Sequence, residues 1–107
     1  MTELNEPELL NELETAGQPL VVFVYTPLCG TCKAARRMLE VAEHLLPFTV
    51  AVVAANVNMM PGVVSKYRIS SVPALMVVPG SRDVAPVIHY SLGSVERILE
   101  YIRSVTS

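Results

Sequence analysis

The thiols of this 107-residue chain are Cys29 and Cys32, set in the run Tyr25-Thr26-Pro27-Leu28-Cys29-Gly30-Thr31-Cys32-Lys33. A C-x-x-C pair supports three kinds of chemistry: half of a zinc site, an inert crosslink, or a dithiol that cycles with its disulfide. A structural zinc takes four ligands, typically two such pairs or one pair with added histidines. There is no second pair here, and the two histidines, His44 and His89, show no ligand spacing. An inert crosslink closing so short a loop stabilises little. The working dithiol is therefore the expected use, and no metal is expected.

Such a dithiol needs one sulfur kept as a thiolate and a second within reach of it. The run Leu20–Tyr25, LVVFVY, is continuously β-branched and aromatic, the mark of a strand covered on both faces. Directly after the pair comes a helical pattern, with Ala34, Ala35, Met38, Leu39, Ala42, Leu45 and Leu46 on one face. Lys33, Arg36, Arg37, Glu40, Glu43 and His44 line the other face, and Pro47 closes the helix. The pair thus opens a helix, where the first four N–H groups lack partners and the dipole places about half a positive charge. An ordinary cysteine is only about 3% thiolate at neutral pH, so this stabilisation matters. Cys32 falls roughly one turn later, close enough to attack a mixed disulfide formed at Cys29. The expected roles follow: Cys29 attacks and Cys32 resolves.

The remaining elements must hold that strand-to-helix junction in place. Asn5, Pro7 and Glu8 carry the cap, first-turn proline and capping-box pattern of a helix start, with Leu9, Leu10, Leu13 and Ala16 at helical spacing up to Gly17. FTVAVVAANV, residues 48–57, reads as a second buried strand, and Pro61 opens a short helix reaching Tyr67. PALMVV, the turn Pro79–Asp83 and APVIHY read as a hairpin. Val95, Ile98, Leu99, Ile102 and Val105 form the stripe of a terminal helix. The order is α-β-α-β-α-β-β-α, an α/β fold with a central mixed four-stranded sheet and helices on both faces, in a single domain over residues 1–107. His44 is expected on a solvated helix face, His89 on an outer strand face, and the five methionines in packing and turns.

Composition narrows the function. Half of the residues are hydrophobic (51%), 17% are charged, and the formal net charge is −2, which gives no electrostatic footprint for nucleic acid or an anionic membrane. No run approaches the ~20 apolar residues of a membrane span. The acidic start MTELNEPELLNELE lacks the apolar region of a secretory signal, so a cytoplasmic location is expected. Cytosolic thiols are held reduced, which favours catalysis or metal binding over a structural bridge.

The segments LVVFVYTPLCGTCK and NVNMMPGVVSKYRISSVPALMVV, with the spacing between them, resemble the active-site and proline-loop regions of the thioredoxin family, over nearly the whole chain. The resemblance implies a thioredoxin-like fold and a thiol–disulfide oxidoreductase that reduces protein disulfides and carries electrons without a bound cofactor. Those electrons would come from an NADPH-dependent flavoprotein reductase, with thioredoxin reductase as a partner and a monomer as the working form. Pro73 would be a cis-proline facing the dithiol, leaving Val72 free to pair with an extended substrate backbone. Leu28, Gly30, Thr31, Val72, Pro73 and Pro61 would surround Cys29 as a shallow docking surface, with Lys33 favouring the thiolate. The chain departs from the family pattern at several places. Thr31 stands where thioredoxins have proline, Tyr25 and Leu28 where they have tryptophans, and Phe23 and Ala54 where they bury an aspartate and a lysine. VYTPLC is also similar to glutaredoxins, although no Gly-Gly-Asp follows the proline loop. Two other functions remain open: a thioredoxin-like binding module or redox sensor with little general reductase activity, and a reductase of mixed disulfides with small thiols.

Overall fold

In a computed structural model that describes residues 1–106, the elements run β1 (Thr2–Glu3), α1 (Glu6–Glu14), β2 (Leu20–Tyr25), α2 (Gly30–Glu43), β3 (Ala51–Asn56), α3 (Pro61–Tyr67), β4 (Ala74–Val78), β5 (Val87–His89) and α4 (Val95–Thr106). A 3₁₀ turn, Val57–Met59, links β3 to α3. The sheet order is β1-β3-β2-β4-β5. β1 and β2 are parallel to β3, whereas β4 is antiparallel to both β2 and β5. β2 is therefore the central strand, and its five residues from Leu20 to Val24 are buried, as the unbroken apolar run requires.

Alternation along the strands divides the core into two layers. Val21, Phe23, Leu75 and Val77 pack against Ala35, Leu39 and Ala42 of α2 and Ile98, Leu99 and Ile102 of α4. Leu20, Val22, Val24 and Met76 face Leu9 and Leu13 of α1 and Val63 of α3. Each fully buried side chain of this kind contributes about 1.5–3 kcal/mol. The helices thus cover both faces of the sheet, as the hydrophobic pattern implied.

The sheet has five strands, not the expected four. The additional strand, Thr2–Glu3, pairs in register with Val53 and Ala54, and the Leu4 N–H continues the ladder to the Ala54 carbonyl at 2.9 Å. Two exposed residues held by backbone hydrogen bonds leave no hydrophobic alternation to read. Three other expectations are also corrected. α2 ends at Glu43 with His44 as its C-cap, so Leu45, placed on the buried face, is exposed; Ala34, near the start of the helix, is exposed as well. β3 starts at Ala51, and Phe48 is almost wholly exposed. His89 does not face outward: it pairs with Leu75 and stacks on Tyr101 of α4, with ring centroids 3.7 Å apart. Its Nε2 is buried without a hydrogen-bond partner, and burial pushes the imidazole pKa below its usual value.

The first helix follows its sequence signature. Asn5 Oδ1 accepts the Glu8 N–H at 2.9 Å, and Glu8 Oε1 accepts the Asn5 N–H at 2.9 Å. The helix ends at Glu14, and Gly17, with φ of +152°, takes the turn into β2 that a side chain would strain. Glu6 ties this helix to α3, because its carboxylate accepts the N–H groups of Gly62 (2.9 Å) and Val63 (3.1 Å) at the start of that helix. α3 leads directly into the loop that carries Pro73. Replacing Glu6 with alanine leaves those donors to water and is predicted to cost about 1–2 kcal/mol. The measurement is urea unfolding, with a lower midpoint at unchanged slope expected; an unaltered midpoint would show that the contact contributes nothing.

Candidate active site

The site lies where the central strand meets its following helix. β2 ends at Tyr25, and the turn through Thr26, Pro27 and Leu28 is closed by the Cys29 N–H donating to the Thr26 carbonyl at 3.2 Å. Cys29 then takes the N-cap position of α2, with extended backbone angles (φ −97°, ψ 111°). Its Sγ accepts the Cys32 N–H at 3.1 Å, the role that a serine or aspartate oxygen plays at other helix starts. The Thr31 hydroxyl lies 3.3 Å from the same sulfur. The two cysteines are joined as a disulfide, with Cα atoms 5.2 Å apart, so Cys29 Sγ carries no hydrogen and the Thr31 hydroxyl is the donor.

The two sulfurs occupy unlike surroundings. Cys29 is partly exposed at the helix end, whereas Cys32 is 2% exposed and belongs to the α2/α4 core. Leu28 beside Cys29 is 97% exposed, an isolated apolar side chain at the rim of the site. Gly30, Thr31 and Lys33 are also exposed. The Val72–Pro73 peptide bond is cis, the isomer that the family resemblance implied. Val72 and Pro73 are partly buried.

Two clefts flank the pair. The larger, about 440 Å³, brings Thr31 and Pro73 together with Met38, Tyr90 and Leu92. The Tyr90 hydroxyl accepts the Ser70 N–H at 3.2 Å, tying β5 to the proline loop, and the Tyr101 hydroxyl donates to the Ser91 carbonyl at 2.9 Å. The smaller cleft, about 130 Å³, is lined by Phe23, Tyr25, Thr26, Pro27, Cys32, Lys33 and Arg36. Pro61 stands exposed at the head of α3 and lines neither of these clefts. Phe23 and Ala54 are both buried and sit opposite each other in the β2–β3 ladder, so this part of the core carries no charge.

Tyr25 is more than a wall. Its hydroxyl donates to Glu3 Oε2 at 2.8 Å, and the Arg36 guanidinium lies 5.4 Å from its ring centroid. Burial, then the hydrogen bond and charge of Glu3, push the phenol above its usual pKa, with Arg36 pulling the other way. Sequence reading missed Glu3, Arg36, Tyr90 and Leu92. Arg36 sits on the helix face that read as solvated, and the others arrive from distant segments with no local signal. Among the described residues no three His, Cys, Asp or Glu side chains cluster as a metal site would require. No helix among them is long and apolar enough to cross a membrane.

Comparison with known proteins agrees with this arrangement. A family model described as Thioredoxin matches residues 1–103. The thioredoxin-like protein YusE of Bacillus subtilis (strain 168) is 36% identical over 107 residues, covering 100% of this chain and 95% of that protein. Thioredoxin 1 of Nostoc sp. (strain PCC 7120) is 26% identical over 86 residues, 80% of each chain. Among solved structures, chloroplastic thioredoxin z superposes with a TM-score of 0.84 at 19% identity, over 98% of this chain and 93% of that one, a likeness of fold alone.

The Thr31 contact generates a prediction. A hydroxyl donating to a sulfur favours the thiolate over the thiol. In a Cys32→Ser background, Thr31→Val keeps the shape and removes the donor, so Cys29 is predicted to ionise at higher pH. Titrating the reduced protein by thiolate absorbance near 240 nm reads the shift. Superimposable curves would show that the Thr31 hydroxyl does not stabilise the thiolate.

Proposed function

The chain belongs to the thioredoxin family, and from that membership together with the contrast between its two sulfurs we propose that it is a thiol–disulfide oxidoreductase acting on disulfides of other proteins. The observation that carries this reading is the accessible Cys29 at a helix N-cap with the buried Cys32 one turn behind it. In the reduced protein the Cys29 thiolate attacks one sulfur of a substrate disulfide. A Cys29–substrate bond forms, the substrate S–S bond breaks, and the departing sulfur leaves as a thiolate that takes up a proton. Cys32 then loses its proton and attacks Cys29 Sγ. The intramolecular disulfide forms and the second substrate sulfur leaves. Two electrons have moved from the dithiol to the substrate, and the protein is left with the Cys29–Cys32 disulfide seen in the structure.

The substrate's backbone would lie along Val72 and Pro73, with Leu28, Gly30 and Thr31 beneath it. Thr31 and Pro73 already share one cleft. The dithiol would be regenerated in the cytoplasm by an NADPH-dependent flavoprotein reductase, with no resident cofactor. A second reading, a binding module or redox sensor, draws on one observation: Phe23 and Ala54 bury no charge beneath the dithiol.

Dithiothreitol-driven reduction of insulin, followed by turbidity, separates these readings. Wild type is predicted to accelerate precipitation and Cys29→Ser to fall to the uncatalysed rate. Cys32→Ser is predicted to accumulate mixed disulfides with several cellular proteins through Cys29. A wild type no faster than dithiothreitol alone would overturn the general-reductase reading and favour the module, or a reductase of small-thiol mixed disulfides.

A further inference from the structure

The resolving step poses a problem that the core does not solve. Cys32 is 2% exposed and lies in the same apolar core cluster as Phe23, Ala35, Leu39, Leu75 and Ile98, surroundings that disfavour a thiolate. It must nevertheless lose a proton before it can attack Cys29 Sγ. The 130 Å³ cleft meets Cys32, and its titratable lining is Tyr25, Lys33 and Arg36, with no carboxylate. That volume holds several waters at about 30 Å³ each.

Arg36 is held at this cleft by two contacts. One guanidinium nitrogen lies 4.0 Å from Glu3 Oε1, and the group sits 5.4 Å from the Tyr25 ring centroid. The other Glu3 oxygen accepts the Tyr25 hydroxyl at 2.8 Å, so one carboxylate from β1 clamps both the ring and the cation. The Tyr25 ring in turn stacks on Phe23, with centroids 5.9 Å apart, which fixes the wall of the cleft. The charged and titratable groups at the cleft that meets Cys32 are Lys33 and Arg36 from α2 and Tyr25 from β2, with Glu3 of β1 behind them, in contact with both Tyr25 and Arg36. The buried members of the core layer that holds Cys32 from β3, β4 and α4 are apolar, among them Ala54, Leu75 and Ile98, with Tyr101 of α4 packed against that layer.

We propose that Arg36, positioned by Tyr25 and Glu3, supplies the positive field that allows buried Cys32 to ionise, and that the cleft beside it is the path by which the Cys32 proton passes to water. The step balances without a dedicated base. The S–H bond of Cys32 breaks, its proton leaves through the cleft, and the resulting thiolate forms the bond to Cys29 Sγ as the substrate sulfur departs with its electron pair. The inference rests on the dithiol reading above and adds a positioning role for residues that do not touch the sulfurs.

Reduced protein mixed with excess Ellman's reagent gives the test. Attack by Cys29 releases one thionitrobenzoate, and attack by Cys32 on the mixed disulfide releases a second in a distinct phase. The pH profile of that second phase reads the ionisation of Cys32. Arg36→Gln is predicted to slow it roughly three- to tenfold at pH 7, with the loss vanishing at high pH where Cys32 is ionised regardless. Arg36→Lys should restore most of the rate, and Tyr25→Phe, which releases Glu3, should shift the profile in the same direction as Arg36→Gln by less. A second phase in Arg36→Gln that superimposes on wild type, or that is slowed equally at every pH, would overturn the proposal. A wild type that releases only one equivalent would overturn the dithiol reading itself, a result distinct from either.

Discussion

The backbone at the end of β2 has to do two things at once: finish a buried strand and begin a helix whose first amides face the site. Cys29 is where both demands meet. Its sulfur takes the capping place that an oxygen fills elsewhere, accepting the Cys32 N–H, with the Thr31 hydroxyl donating from the same first turn. Everything else around the site follows from that placement. Once Cys29 caps the helix, Cys32 is the third helical residue, and the amphipathic face that buries Ala35 and Leu39 buries Cys32 with them. The difference between an accessible sulfur and a hidden one is therefore a consequence of helical periodicity rather than of a separate device.

In the proposed reaction the same burial sets the difficulty of the second half. A sulfur in an apolar cluster resists ionisation, and the strands beneath, β2 and β3, offer Phe23 and Ala54 rather than charged groups. At the side of the core Glu3, Tyr25 and Arg36 form one connected wall, the compensation we propose. The pairing of the short first strand with Val53 and Ala54 is what brings Glu3 to Tyr25. On the opposite side, the Tyr90 hydroxyl accepts the Ser70 N–H and steadies the approach to the cis bond at Pro73. The dithiol thus sits between a cationic cleft and a wider, mainly apolar one.

What could be read in the sequence was what is local. The capping box of α1, the span of α3 from Pro61 to Tyr67 and the buried central strand are each written within a few consecutive residues, and the structure agrees with them. The dithiol's position at a helix start was legible for the same reason. β1 was not, because two exposed residues held by backbone pairing carry no pattern. Tyr25, Glu3 and Arg36 looked unrelated, since the hydrogen bond joining the first two spans 22 positions. His89 was misplaced because a three-residue edge strand leaves its inward face ambiguous until α4 covers it.

In the proposed reaction helix capping makes Cys29 the reactive thiolate while burial keeps Cys32 in reserve. Brief exposure of the reduced protein to iodoacetamide across about pH 5 to 9, with the labelled peptides quantified by mass spectrometry, addresses it directly. Cys29 is expected to be labelled first, with a midpoint below the value near 8.5 of a free cysteine, and Cys32 to stay protected over the same range. Equal labelling of the two cysteines, or a Cys29 midpoint no lower than that of a free thiol, would contradict it.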